Sequence, residues 1–401
     1  MTRSAAYAAL AIICAGRVAA SQSAPSAPNV PVVIPIRVVN NHVHLRMSSG
    51  GRDLSMIYDT GAGTTLLDLP VAESLGLRLG PAVNIGGAGP NAARGFRLAS
   101  GSLVLPQDST ITVTPAIAFP MSIAVFEGLP VNGILGADFT AQSVVQLDYA
   151  RQRMMLYPRT FRYAGDGIRL PLTFKDGHPH TVGQVVLADG ARLSADCAID
   201  VGASSALMLT KPFVEKHHLL DRVGPTIHRK SGRGVGGSAW TTIGRVAAVR
   251  LGTAELRAPI TAFYGDSAGV FSTDRSFECN VGGEILRRYI VYLDYGRKEM
   301  ILEPTAAVDD PFEADMSGAA FRMDTAAGGI RVTDIMPRGP AEAAGLQEDD
   351  LLVGIDGRPA LEVGVEALRR RFRQHGGEVE LTVRRAQGDR VIVRLPVRRL
   401  I

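Results

Sequence analysis

Asp59 ends an apolar run, Leu54-Ser55-Met56-Ile57-Tyr58, and is followed by Thr60 and Gly61. That order reads as a strand carrying one carboxylate to the tip of a tight loop. Glycine there lets the backbone turn and approach closely whatever the carboxylate serves. A lone Asp-Thr-Gly is also an ordinary turn. It gains chemical meaning when a second carboxylate faces it, and the chain holds a counterpart: Ile57-Tyr58-Asp59-Thr60-Gly61-Ala62 is echoed by Ala198-Ile199-Asp200-Val201-Gly202-Ala203-Ser204.

Three further landmarks recur in the same order. Leu147-Asp148-Tyr149, leading to Met154-Met155-Leu156-Tyr157-Pro158, returns as Leu293-Asp294-Tyr295, leading to Met300-Ile301-Leu302-Glu303-Pro304. Ile134-Leu135-Gly136 meets Asn280-Val281-Gly282, and the Gly-rich Asn84–Pro90 meets the Gly-rich Gly232–Gly237. Matches in register over such a distance mark a duplicated unit. Short Val- and Thr-rich runs separated by turn residues, with 44 glycines and 23 prolines in 401 residues, make that unit β-rich.

The remaining composition narrows the class. With 46% hydrophobic and 20% charged residues the chain is globular, and its length allows two or three domains. A net charge of +4 with no basic stripe interleaved with aromatics argues against nucleic acid. Arg369-Arg370-Arg371-Phe372-Arg373 reads as the solvated face of an amphipathic helix. Arg3, the apolar stretch Ala5 to Ala15 and the small residues of Val18-Ala19-Ala20 read as a secretory signal peptide over 1–20. A Ser/Ala/Pro/Asn-rich linker over 21–31 follows. No later stretch is apolar and long enough to cross a bilayer as a helix, so a soluble protein, exported to the periplasm or secreted and not held by a membrane after cleavage, is expected. His42 with His44, His178 with His180, and the pair His217-His218 have no Cys or acid completing a metal set, and are read as surface residues. Gly86-Gly87-Ala88-Gly89 lacks the Lys-Ser/Thr of a nucleotide loop. No metal and no cofactor is expected.

The duplicated unit resembles the retropepsin-like branch of the aspartic proteases. The likeness rests on Asp59-Thr60-Gly61-Ala62 with Ile134-Leu135-Gly136, and on Asp200-Val201-Gly202-Ala203-Ser204 with Val281-Gly282. It implies a mainly β fold in which two β-barrel lobes, 32–158 and 166–304, form a pseudo-dimer within one chain. By the same resemblance Asp59 and Asp200 are the catalytic dyad. Two carboxyls in contact cannot both ionise, so they share a proton, one serving as base for a water and the other polarising a peptide carbonyl. Thr60, Gly61, Val201 and Gly202, backed by Gly136 and Gly282, support the loops. Ile85, Gly86 and Gly87, with Val235, Gly236 and Gly237, are flaps over an extended substrate. Val201 departs from the pattern: the family carries Thr or Ser there, whose hydroxyl braces the opposite loop, and Val cannot make that bond. The same fold brings the strands of Cys197 and Cys279 near each other, leaving either a disulfide or two buried thiols.

The third unit, 316–401, resembles a bacterial PDZ domain, a small α+β fold, on Gly329-Ile330-Arg331-Val332, Pro340-Ala341-Glu342-Ala343-Ala344-Gly345-Leu346 and Asp350-Leu351-Leu352-Val353-Gly354-Ile355-Asp356-Gly357. Such domains add a peptide to an open sheet edge and hold its C-terminal carboxylate on backbone N–H groups. Gly328, Gly329, Ile330 and Val332 are the candidate contacts. The sequence therefore implies a bacterial exported aspartic endopeptidase, monomeric or dimeric, acting on protein or peptide substrates that its PDZ domain recruits or regulates. The alternative is a peptide-binding scaffold whose protease lobes have lost activity.

Overall fold

The two strands that carry the Leu-Asp-Tyr repeat pair with each other. In the computed structural model, which describes residues 30–121, 128–265 and 268–401, Val144–Asp148 and Tyr289–Asp294 run antiparallel, with Val145 opposite Leu293 and Leu147 opposite Val291. All four of these side chains are buried, as expected where period-2 alternation sends every second residue to the core. Arg153–Tyr157 and Glu299–Pro304 flank them, and Val32–Pro35 and Ile168–Pro171 close the six-stranded sheet. Each half of the chain thus supplies three of its strands. The signal peptide expected over 1–20 lies outside the described residues, as does all of the 21–31 linker but its last two positions.

Two ten-stranded sheets share one strand order. In the first, Arg52–Tyr58 lies between His42–Ser49, antiparallel to it, and Gly133–Leu135, parallel to it. In the second, Arg192–Asp200 lies likewise between His178–Val186 and Cys279–Gly282. Gly50 and Gly51 both take positive φ in the two-residue turn joining the first hairpin, the conformation a type I′ turn demands. One end of each ten-stranded sheet is a hairpin, Leu79–Ile85 with Ala93–Leu98 and Ile227–Gly234 with Gly237–Arg245.

Cys197 lies opposite Cys279 across the parallel pair, with Cα atoms 4.4 Å apart, and the two are joined in a disulfide. Both are buried. Replacing both by Ala is expected to lower the unfolding free energy by about 2–4 kcal/mol, because the bond shortens the accessible unfolded ensemble across a sequence separation of 82 residues. Denaturant titration of the double variant checks this; a loss within error of zero would show that the bond constrains nothing the sheet does not already hold.

The last sheet runs Ala319–Asp324, Gly329–Ile335, Leu351–Ile355, Glu378–Arg384, Arg390–Pro396, with helices Pro340–Ala343 and Ala360–Phe372. Its core is its own, with Phe321 and Phe372 stacked at 5.5 Å. Here the peptide-binding expectation needs correction. Gly329–Ile335 is an interior strand, paired with Ala319–Asp324 along its length and with Leu351–Ile355 at Ile330 and Arg331. Ile330 and Val332 are core residues at 0% exposure. Strand addition needs a free edge, so Gly328, Gly329, Ile330 and Val332 do not offer one. Among the described residues Ala319–Asp324 is paired on one side only, beside helix Ala360–Phe372.

Candidate active site

Each acid sits where a central strand ends and a loop turns over its neighbour. The backbone N–H of Asp59 donates to Leu135 O at 3.0 Å, and the loop folds back until Ala137 N–H donates to Ala62 O at 2.9 Å. Gly136 passes beneath: a Cβ there would stand 2.5 Å from Thr64 O and 2.7 Å from Ala62 O. In the second half Gly282 is pinned the same way, 2.3 Å from Ser205 O and 2.9 Å from Ala203 O. The Asp138 carboxylate, just past Gly136, accepts from Thr65 N–H (3.0 Å) and Thr65 Oγ1 (2.7 Å) and so fixes the end of the first loop.

The loops meet face to face. Thr60 Oγ1 donates to Ile199 O at 2.7 Å and accepts from Val201 N–H at 3.0 Å, in a fully buried position. Val201 returns no such bond; its side chain is buried in the core. The brace between loops is one-sided, as the sequence indicates. Asn41 adds a second tie, donating from Nδ2 to Ser204 O at 2.7 Å and to Glu284 Oε2 at 2.8 Å. Thr60→Val is expected to cost about 2–4 kcal/mol, since it leaves a buried carbonyl and a buried N–H without partners, while Thr60→Ser keeps the hydroxyl and most of the stability. Chemical unfolding of the two variants separates the bond from the packing; equal losses would assign the effect to the methyl group.

The result is that the two carboxyls face each other. A Cβ added at Gly61 would lie 2.7 Å from Asp200 Cγ, and one at Gly202 would lie 2.1 Å from Asp59 Cγ. Asp59 Oδ1 accepts from Gly61 N–H at 2.7 Å, and Asp200 Oδ2 from Asn280 Nδ2 at 2.7 Å. Burial, then the charge of Asp200, then the hydrogen bond the two carboxyls share hold Asp59 well above the usual carboxylate range. Burial also raises the phenols of Tyr58, Tyr149 and Tyr295 around the pair, so they stay neutral. One proton held between two carboxyls is the arrangement that can activate a water while polarising a carbonyl.

Above the loops the Gly-rich hairpin tips interlock. Gly89 N–H donates to Val235 O at 2.9 Å, Asn91 N–H to Gly236 O at 3.2 Å, and Val270 N–H to Gly87 O at 3.0 Å. Val235 reaches into an apolar group formed by Leu66, Phe119 and Ile134 of the first half, while Ala88 packs against Ala239, Tyr264 and Phe271 of the second. Each tip caps the other half's wall. Ile85, Gly86 and Gly237 flank these contacts, and nothing within 4 Å meets a Cβ at Gly86 or Gly237.

Asn280 and Asn41 carry no motif; Asn280 is found by asking what touches Asp200, and Asn41 by asking what ties down the loop after it. The signal for Asn280 is a polar residue where the duplicate has Ile134. Two histidines also depart from expectation: His44 and His180 are buried, not superficial. His180 Nδ1 lies 2.9 Å from Asp196 Oδ1, and burial holds the ring below its ordinary value despite that acid.

A family model described as aspartyl protease matches residues 45–139, the stretch from the first hairpin through Asp59 to Phe139. One described as PDZ domain matches residues 312–384. Comparison with curated proteins returns no match. The chain therefore carries a retropepsin-like aspartyl protease domain and a PDZ domain on a mainly β framework.

Proposed function

We propose that the chain is an aspartic endopeptidase in which Asp59 and Asp200 act as one catalytic pair. The observation that carries this reading is the direct approach of the two carboxyls, with Asp59 driven toward its protonated form by burial and by Asp200. The ionised member takes a proton from a water as its oxygen attacks the peptide carbonyl carbon. The protonated member gives its proton to the carbonyl oxygen. The tetrahedral diol collapses as the proton taken from water passes to the leaving nitrogen, the C–N bond breaks, and a hydroxyl proton of the diol returns to the other carboxyl. No covalent adduct is needed, and the closed hairpin tips keep bulk water from the step.

The PDZ domain adds a peptide-binding edge at Ala319–Asp324. Its placement favours regulation over simple tethering. Lys230 of the second hairpin lies 3.3 Å from Asp334, and a Cβ on Gly128 would come 3.2 Å from Met323 Cγ and 3.4 Å from Val365 Cγ1, between the edge strand and the helix. Export to a periplasm or beyond the cell agrees with the buried disulfide, which suits an oxidising compartment.

The test is direct. The purified chain is incubated with an unfolded polypeptide from acid to neutral pH, with chelator present, and fragments are identified by mass. Cleavage by the wild type that is lost in Asp59→Asn and in Asp200→Asn supports the endopeptidase. A wild type inert at every pH leaves the peptide-binding scaffold.

A further inference from the structure

The dyad is built on a near-symmetric frame, yet its two carboxyls do not have the same neighbours. Strand Gly133–Leu135 places Ile134 on the cleft side of the first half, where it packs with Leu66 and Phe119. The equivalent place in strand Cys279–Gly282 is Asn280, which lies opposite Ala198 and Met208. It is 5% exposed, and its Nδ2 reaches Asp200 Oδ2 at 2.7 Å. With Asp200 ionised the amide presents its N–H, because the opposite flip would set its oxygen against a carboxylate oxygen. Its own Oδ1 meets no donor among the described residues. A buried, half-satisfied amide costs stability that an apolar residue would not. It is kept at the one spot where its N–H bonds the reacting group.

We propose that Asn280 is a positioning residue that breaks the symmetry of the pair: its amide favours the negative charge on Asp200, making Asp200 the carboxylate that takes the proton from water and Asp59 the acid that protonates the carbonyl oxygen. This rests on the endopeptidase reading above and adds the direction of proton flow. Asp200 Oδ1 accepts from no N–H or hydroxyl group among the described residues, so the Asn280 amide on Oδ2 is the side-chain donor this carboxyl has. The Asn280 bond supplies what Ile134 cannot supply to Asp59. The titratable groups whose charge acts on Asp200 include Asp59, Tyr149 and Tyr295. The phenols are neutral in the working range; Asp59 has the Gly61 N–H on its Oδ1, and Asp200 has the Asn280 amide on its Oδ2, the one side-chain N–H donor to the pair among the described residues.

Two measurements test it. Asn280→Ile gives the second half the residue of the first. It is expected to move the acid limb of the kcat/KM profile to higher pH and to lower the acid-side rate about tenfold, the worth of one hydrogen bond to a charged group. KM should change little, and thermal unfolding should shift to a lower temperature where Asp200 is ionised, because its Oδ2 loses its donor, with the gap closing in acid. Combining it with Ile134→Asn transfers the donor to Asp59 and is expected to restore the acid limb. A profile for Asn280→Ile that superimposes on the wild type, or a folded double variant that recovers nothing, overturns the assignment. The second measurement needs no turnover. In wild-type protein labelled with carbon-13 aspartate, the Asp59 carboxyl carbon should report an acid, and that of Asp200 a carboxylate, within the mildly acid range. The reverse, or two equal half-protonated signals, overturns the proposal even if the wild type cleaves nothing, an outcome that would separately sink the endopeptidase reading.

Discussion

Asp59→Asn and Asp200→Asn are each expected to reduce kcat/KM by about 10³-fold or more, with little change in fold, because each removes half of the proposed proton-transfer pair. Asn matches the carboxyl in shape, so the loops and the closed hairpin tips persist. The double variant should be hardly worse than either single one, since two groups that act as a unit do not contribute additively. In the wild type the pH profile is expected to be bell-shaped. Its basic limb is the loss of the last shared proton, and it lies toward neutral pH because burial first, and the Asp200 charge second, raise Asp59. The same shift carries a stability signature whose sign is fixed. The folded state holds a proton that the unfolded chain releases at the ordinary carboxylate range. Wild-type stability therefore falls as pH rises from that range through the raised Asp59 value. Asp59→Asn removes the penalty, so its melting temperature should exceed that of the wild type near neutral pH, with the gap closing in acid. Parallel melting curves for the two proteins across that range would mean that Asp59 is not held protonated.

Much of this site was legible because duplication writes itself twice. Asp-Thr-Gly is weak evidence until Asp200 appears in the same relation to a second Leu-Asp-Tyr strand, and those strands pair at the centre of the fold. Val201 could be read as a missing brace from chemistry alone, since a side chain with no hydroxyl cannot bridge. Which bonds remain could not: the Thr60 hydroxyl serves a carbonyl and an N–H from a loop some 140 residues away. Asn280 lay within a matched landmark but spoke only through its difference from Ile134, and a buried strand polar residue has no period or motif to announce it. The PDZ contacts failed for a topological reason. A Gly-led apolar strand looks alike at an edge and in the middle of a sheet, and only the pairing of Gly329–Ile335 on both sides tells them apart. The buried His44 and His180 escaped because alternation on a strand fixes which residues share a face, not which face is covered.

Gly202→Ala is the substitution that shows how closely the two halves must approach. Its added methyl carbon would fall 2.1 Å from Asp59 Cγ and 2.2 Å from Asp59 Oδ1, against 2.7 Å from Asp200 Cγ for Gly61→Ala. Neither glycine has the positive φ that would strain an alanine backbone, so the whole penalty is this contact. Two responses are open. The Asp59 carboxyl can turn away, which breaks the bond it shares with Asp200. Alternatively the loops can separate, which lengthens both bonds of the Thr60 hydroxyl. A displacement of about 1 Å at a reacting pair is enough to cost 10²-fold in rate, so Gly202→Ala is expected to lose about that much or more in kcat while still unfolding cooperatively. Gly61→Ala should follow it with a smaller loss, in the order of the two distances. Gly224→Ala, where an added carbon meets nothing within 4 Å and φ is not positive, is the control for glycine replacement as such. If Gly202→Ala retains wild-type turnover, the carboxyls need not be in contact for the reaction, and a shared proton is not what drives it.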